Sequence, residues 1–375
     1  MTHHSSHHLS QFPAPMLDEM LDSIVSRYHR LSGNPTIRET MRELFGSQSA
    51  VAPNLILGSL DNFCASTAGW SIGNANELIQ KWTLLPAYRF LLQPFQTRRL
   101  TTIARSPQGI KGLAPILFSG RKVMARQFRL CPCCTEFEED TLGFGYWHRS
   151  HQLYGVNVCH IHGCDLIGAC RSCGALLKNP RHFDLPARKC ASCAKRHLAS
   201  YSYPTGVRRL AVLAHEALGE LLSPQNPLFV AAALQHRMDE LVAVGWDDRS
   251  TLEEYSGAYV RVECSRRIRA GSPDFLKHIP WDEDPLYIYE VGSFARFADL
   301  LVSVDMLFGS WHAFEQTIAQ CQINPMERIQ GAISSWRTPR EKSKRLGNRI
   351  GASGITLRVT ANKPRSPAAN TFEMA

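Results

Sequence analysis

Four short pairs of metal-ligating residue types lie between Cys131 and Cys193: Cys131-x₂-Cys134, Cys159-x₂-His162, Cys170-x₂-Cys173 and Cys190-x₂-Cys193. Two intervening residues let both side chains of one tight turn reach the same tetrahedral Zn²⁺, at about 2.3 Å for sulfur. The last two pairs, with sixteen residues between them, have the spacing of a two-knuckle zinc site. The first two make a Cys₃His set with a longer insert. Pairing one with two and three with four closes the shortest loops; interleaved pairing stays open. Most of the twelve cysteines fall here, and no secretory signal directs the chain to an oxidising compartment, so zinc is favoured over disulfides. Both sets offer four protein ligands, which closes the coordination sphere and leaves no place for a reactive water. The deaminase arrangement, H-x-E with a later P-C-x-x-C, is absent. The expectation is two structural zinc ions.

Charge adds a second constraint. The chain has 375 residues, 44% of them hydrophobic, and a formal net charge of +9. That length supports two or three domains with real cores, and no apolar run approaches a membrane span. Between Glu77 and Glu136 there is no acid, yet the interval holds Lys81, Arg89, Arg98, Arg99, Arg105, Lys111, Arg121, Lys122, Arg126 and Arg129. A second acid-free interval, 185–215, holds Arg188, Lys189, Lys195, Arg196, Arg208 and Arg209. Residues 239–305 instead carry fourteen acids against seven bases. Such segregation suits a protein that grips a phosphate backbone with one face. Arg98, Arg99, Arg105, Lys111, Arg121, Lys122, Arg126 and Arg129 are the candidate DNA contacts. The competing reading is a scattered, solvated basic surface.

The remaining pattern is helical. Residues 1–12 are His/Ser-rich and read as a disordered start. Asp18 and Glu19 make an acidic first turn, and Leu17, Leu21, Ile24, Val25 and Tyr28 recur at helical spacing to about Leu31. On that helix Asp18, Glu19 and Asp22 face outward. Ser32-Gly33-Asn34-Pro35 stops it. Thr36 with Glu39 forms a capping box for the next helix, which ends at Phe45-Gly46. Helices over 54–65 and 71–82 complete a helix-turn-helix-like region, 13–96. Residues 97–130 read as a basic linker with a strand at 116–118, and 131–200 as tandem zinc modules. A helical, partly acidic domain follows at 201–335, with helices near 207–222, 228–244, 252–264, 286–302 and 312–320. A basic, flexible tail occupies 336–375. The fold class is mainly α.

The segments LDEMLDSIVSRYHRLSG, ELFG, WTLLPAYRFL, RLCPCC, YWHRSHQLYGVNVCHIHG and CRSCG resemble the TniQ/TnsD family of transposon target-selection proteins. The match runs over about 13–200 and is most specific from Trp147 to Cys173. The resemblance implies an N-terminal helix-turn-helix domain, tandem zinc motifs, binding of double-stranded DNA and recruitment of an AAA+ transposition ATPase. In some members, it implies, the short form docks on a CRISPR effector complex and dimerises. It also implies a bacterial, cytoplasmic, nucleoid-associated protein. Cys133, His160 and Cys164 depart from the motif and compete as metal ligands. The chain is shorter than members that recognise one attachment site.

Other site readings are weaker. His148, His151, His160 and His162 are histidines from which a metal nuclease is built, but that chemistry also needs carboxylates and an open metal position, so packing roles are favoured. Cys64, Cys264 and Cys321 read as small buried hydrophobes, and Trp281, Tyr287 and Tyr289 as core. No phosphate-binding G-x-x-x-x-G-K-[ST] exists, so ATP hydrolysis belongs to a partner. The sequence therefore predicts a non-enzymatic DNA-binding adaptor. The alternatives are a zinc-dependent nuclease or recombinase, and an autonomous zinc-finger repressor.

Overall fold

The computed structural model describes residues 9–46, 58–70, 72–92, 94–106, 125, 127–178, 182–203, 206–219, 229–230, 232–234, 236–237, 240 and 297–323. Among these residues regular structure is helical with no strand, and β pairing is confined to isolated bridges. The strand read at 116–118, the helix at 252–264, Cys264, Trp281, Tyr287, Tyr289 and the basic tail lie outside the described residues. No described helix is long and apolar enough to cross a membrane.

Local chemistry explains the first helices. Helix α1 (Leu21–Ser32) stops at Gly33, whose φ of 70° is the left-handed conformation that glycine adopts without a Cβ penalty. Helix α2 (Ile37–Phe45) opens on the reciprocal Thr36–Glu39 capping box and closes on Gly46, also left-handed. Helices α3 (Leu60–Ser66), α4 (Ala75–Trp82) and α5 (Leu85–Tyr88) follow. The α4 N-terminus is capped by Asn74, whose side-chain oxygen accepts from the Asn76 and Glu77 amides. The segment read as a basic linker begins instead as α6 (Pro94–Arg105). Leu100 and Ala104, four residues apart, bury one face of it, and α6 packs across α3 and α4.

The start of α1 departs from expectation. The helix begins at Leu21, because Asp18 has a φ of 59° and breaks the helical path. Leu17 is 86% exposed while Glu19 is fully buried, so the outward face assigned to Asp18 and Glu19 is turned in. The reason is tertiary: Glu19 bridges to His148 along the backbone, and the Met20 amide donates to the Trp147 carbonyl at 2.8 Å. Glu19 accepts from Arg27 Nη1 at 2.7 Å, and that guanidinium lies over the Phe144 ring. Asp22 pairs with Lys178, which also stands over the Phe128 ring.

Helix α7 (Pro132–Leu142) carries the first ligand pair, and a 3₁₀ turn (Ser150–Gln152) follows the buried Trp147. Helix α8 (Gly206–Glu216) packs on that turn and on α9 (Phe297–Leu307), which packs on α10 (Trp311–Ile323). Phe90 meets Trp311 edge-on at 5.1 Å, so one apolar core joins α1–α6, Trp147 and the described C-terminal helices. Arg149 secures this junction. Its buried guanidinium donates to the carbonyls of Gln80, Lys81, Thr83 and Leu218, satisfying orphan carbonyls at the ends of both α4 and α8.

Candidate metal centres and nucleic-acid face

The structure gathers Cys131, Cys134, Cys159 and His162 into one set and Cys170, Cys173, Cys190 and Cys193 into another, with ligand atoms in each set within 4.8 Å. In the first set His162 Nδ1 lies 3.5, 3.3 and 3.6 Å from the sulfurs of Cys131, Cys134 and Cys159. Cys134 and Cys159 sulfurs are 3.6 Å apart. In the second set Cys170–Cys193 and Cys173–Cys190 are both 3.7 Å. Sulfur ligands at about 2.3 Å from one tetrahedral ion stand about 3.8 Å from each other, so the donor sets fit such an ion. These clusters could hold metal ions.

Three of the four pairs sit on the same backbone device. In each, the amide of the first ligand donates to the carbonyl five residues on, and the amide four residues on donates back. These bonds are Cys159 to Cys164 and Gly163 to Cys159, Cys170 to Ala175 and Gly174 to Cys170, Cys190 to Lys195 and Ala194 to Cys190, all 2.8–2.9 Å. A bridge flanks each turn: Val158 with Asp165, Ala169 with Leu176, Lys189 with Arg196. The residue after the second ligand takes positive φ: Gly163 at 67°, Gly174 at 74°, and Ala194 at 57°. The first pair is built differently. Cys131 is the N-cap of α7 with Pro132 in the first turn, and its sulfur accepts from the Cys134 amide at 3.3 Å. A helix N-terminus favours a thiolate there.

A buried ionic cluster, which sequence reading missed, joins the first centre to α1. His148 lies between Glu138 Oε1 at 2.5 Å and Asp18 Oδ2 at 3.7 Å. Burial alone would lower its pKa, but hydrogen bonds and charge from Asp18 and Glu138 outweigh this and raise it to about 10. Burial likewise acts to raise Asp18, yet His148, Arg149 and His215 hold its carboxyl well below the usual carboxylate range. Burial lowers Arg149 to about 10. It also lowers His160 to about 4, with the His215 charge adding; the two rings stack at 4.1 Å. No local signal marks Asp18, because its partner Ser150 lies 132 residues along the chain. His148, His151 and His160 are placed in packing and ionic contacts.

Many basic candidates are engaged internally. Arg129 is turned inward, donating to the Leu153 carbonyl and Asn157, and burial lowers its pKa to about 10. Arg105 pairs with Asp61 at 2.9 Å. In the second basic interval, Arg188 pairs with Glu139 and Asp140, and Arg196 with Glu136. Arg208 donates to the His160 and Ile161 carbonyls and Arg209 pairs with Asp305. The acidic face of α7 thus neutralises Arg188 and Arg196 of the second module. Arg98 and Arg99 are exposed on α6 and form no ion pair among the described residues. Lys111, Arg121, Lys122 and Arg126 lie outside the described residues.

Comparison with known proteins matches the N-terminal part of the chain. The TniQ family model matches residues 10–166, the interval that contains α1–α7, the first metal set and the Asp18–His148 cluster. The transposition protein TnsD of transposon Tn7, from Escherichia coli, is 23% identical over 159 residues, covering 41% of this chain and 31% of that protein. The matched stretch therefore spans about a third of that relative. Over residues 10–166 the chain matches the TniQ family model, and in the same part of the sequence it is similar to TnsD.

Proposed function

We propose that this protein is a non-enzymatic, DNA-binding adaptor for transposition target selection, which presents target DNA to an AAA+ transposition ATPase. The observation that carries the DNA half is the outer face of α6, where Arg98, Arg99 and Thr102 are exposed beside Phe95 on a helix packed across α3 and α4. A basic helix held on two others can follow a phosphate backbone or enter a groove. In this reading both four-ligand sets hold structural Zn²⁺. They brace the platform: the first set is joined to α1 through Asp18, His148 and Glu138, and the second to α7 through Arg188 and Arg196. A full protein coordination sphere leaves no position for hydrolytic water, which disfavours a nuclease. The similarity to TniQ and TnsD supports the adaptor role, and in this reading the protein works in the cytoplasm on the nucleoid. A CRISPR effector or a second copy would be an additional partner of the same platform.

Affinity for duplex DNA measured over a salt series tests this. Replacing Arg98 and Arg99 by alanine should lower the slope of log affinity against log salt by about two, one per lost phosphate contact. Replacing Arg188 and Arg196 should leave the slope unchanged, because their charges are already neutralised. An unchanged slope in the Arg98/Arg99 variant removes the DNA face from α6.

A further inference from the structure

Two more thiols stand against the first metal set. Cys131, Cys133 and Cys164 form a trio whose sulfurs all lie within 4.8 Å, and Cys131 belongs to both groups. Cys131 and Cys164 sulfurs are 3.2 Å apart and fully buried. The same framework that places the first set places these two. Cys133 lies in the first turn of α7, one residue before Cys134. Cys164 follows the left-handed Gly163, and its carbonyl accepts the Cys159 amide at 2.9 Å. The trio is therefore preorganised rather than gathered by chance rotamers.

Thiols are weak hydrogen-bond donors and acceptors, so three in one place gain little from each other. As thiolates they repel unless a cation lies among them. Soft sulfur donors select thiophilic ions such as Zn²⁺ or Cu⁺, and a thiolate has enough lone pairs to bind two. We propose that Cys131 is a bridging thiolate. It joins the ion held with Cys134, Cys159 and His162 to a second thiophilic ion held with Cys133 and Cys164. Two thiol protons leave to solvent as that ion enters. Three protein thiolates leave its fourth position to an outside donor. Cys133 and Cys164 thus extend the first centre instead of replacing its ligands. This rests on the reading that the four-residue sets bind metal.

The test is metal stoichiometry of the full chain, purified under reducing conditions and loaded separately with Zn²⁺ and Cd²⁺, together with cadmium NMR. The wild type should hold three ions per chain, with a cadmium–cadmium coupling through sulfur. Cys133→Ser and Cys164→Ser should each hold two and lose the coupling. Cys133 is only half-buried, so its variant decides the matter should the Cys164 variant fail to fold. Two ions in the wild type and in both variants would overturn the bridged ion and leave the two-zinc reading intact. Two in the wild type falling to one in the variants would overturn it too, by making Cys133 and Cys164 ligands of a single ion. Three ions without the coupling would overturn the bridge. Fewer than two in the wild type would instead remove the two-zinc reading itself.

Discussion

Asp18 receives the Ser150 hydroxyl at 2.5 Å across 132 residues of chain. The same carboxylate accepts the Ser150 amide and faces His148 and His215. This contact ties the segment before α1 to the 3₁₀ turn after Trp147. It makes the N-terminal helices and the first metal centre one folding unit.

That cluster sets a pH dependence. The raised His148 pKa means its contribution is complete below the unfolded imidazole value of about 6.5 and is lost as pH rises through about 10. The depressed Asp18 contributes above its unfolded value of about 3.9 and is lost in acid. Stability from the pair should therefore peak between about pH 4 and 6.5 and decline toward pH 10. His148→Gln should cost about 3–5 kcal/mol at pH 6, since it strands buried carboxylates, and should flatten the alkaline decline. Urea unfolding of both proteins at several pH values measures this; an unaltered alkaline slope in the variant contradicts it.

Arg149 cannot be replaced by its nearest chemical relative. One planar guanidinium reaches four carbonyls on two helix ends, whereas an ammonium is a compact donor that cannot span them. Arg149→Lys should destabilise by about 2–4 kcal/mol, with buried carbonyls left unsatisfied. Hydrogen exchange should rise first at the end of α4 and at 217–218. Protection lost elsewhere and kept at those ends would argue against the junction.

Ala194 is the irregular member of the three repeated turns. It holds a φ of 57° where Gly163 and Gly174 hold theirs without a Cβ. Left-handed backbone costs an alanine about 1–2 kcal/mol, partly offset by the greater chain entropy of glycine when unfolded. Ala194→Gly should therefore tighten metal binding by the second set about 2- to 5-fold, and Gly174→Ala should weaken it similarly. Competition with a chelator reads both, and the opposite order would refute the strain argument.

Sequence reading reached the parts whose causes are local. The Thr36–Glu39 capping box, the glycine stops at Gly33 and Gly46, the mainly helical class and the family motifs all rest on residues within a few positions of each other. The spacing of the eight ligands likewise contained the two groups of four that the structure assembles. It failed where a residue's partner is distant. Leu17 occupies an apolar helical position in sequence, yet the chain bends at Asp18 and leaves it in solvent, because Trp147 and His148 claim the backbone at Glu19 and Met20.

Charge shows the same division. The sequence by itself determined that basic residues concentrate in two acid-free intervals, that ligand pairs recur at two-residue spacing, and that the elements are helices. Only the tertiary structure decided which cations remain free. Arg188, Arg196, Arg105 and Arg129 look equivalent to Arg98 and Arg99 in composition, but α7, Asp61 and the Leu153 carbonyl take the first four. A charge run counts cations without their counter-ions, and a carboxylate fifty residues away neutralises one as fully as a neighbour does once folding brings them within hydrogen-bonding distance.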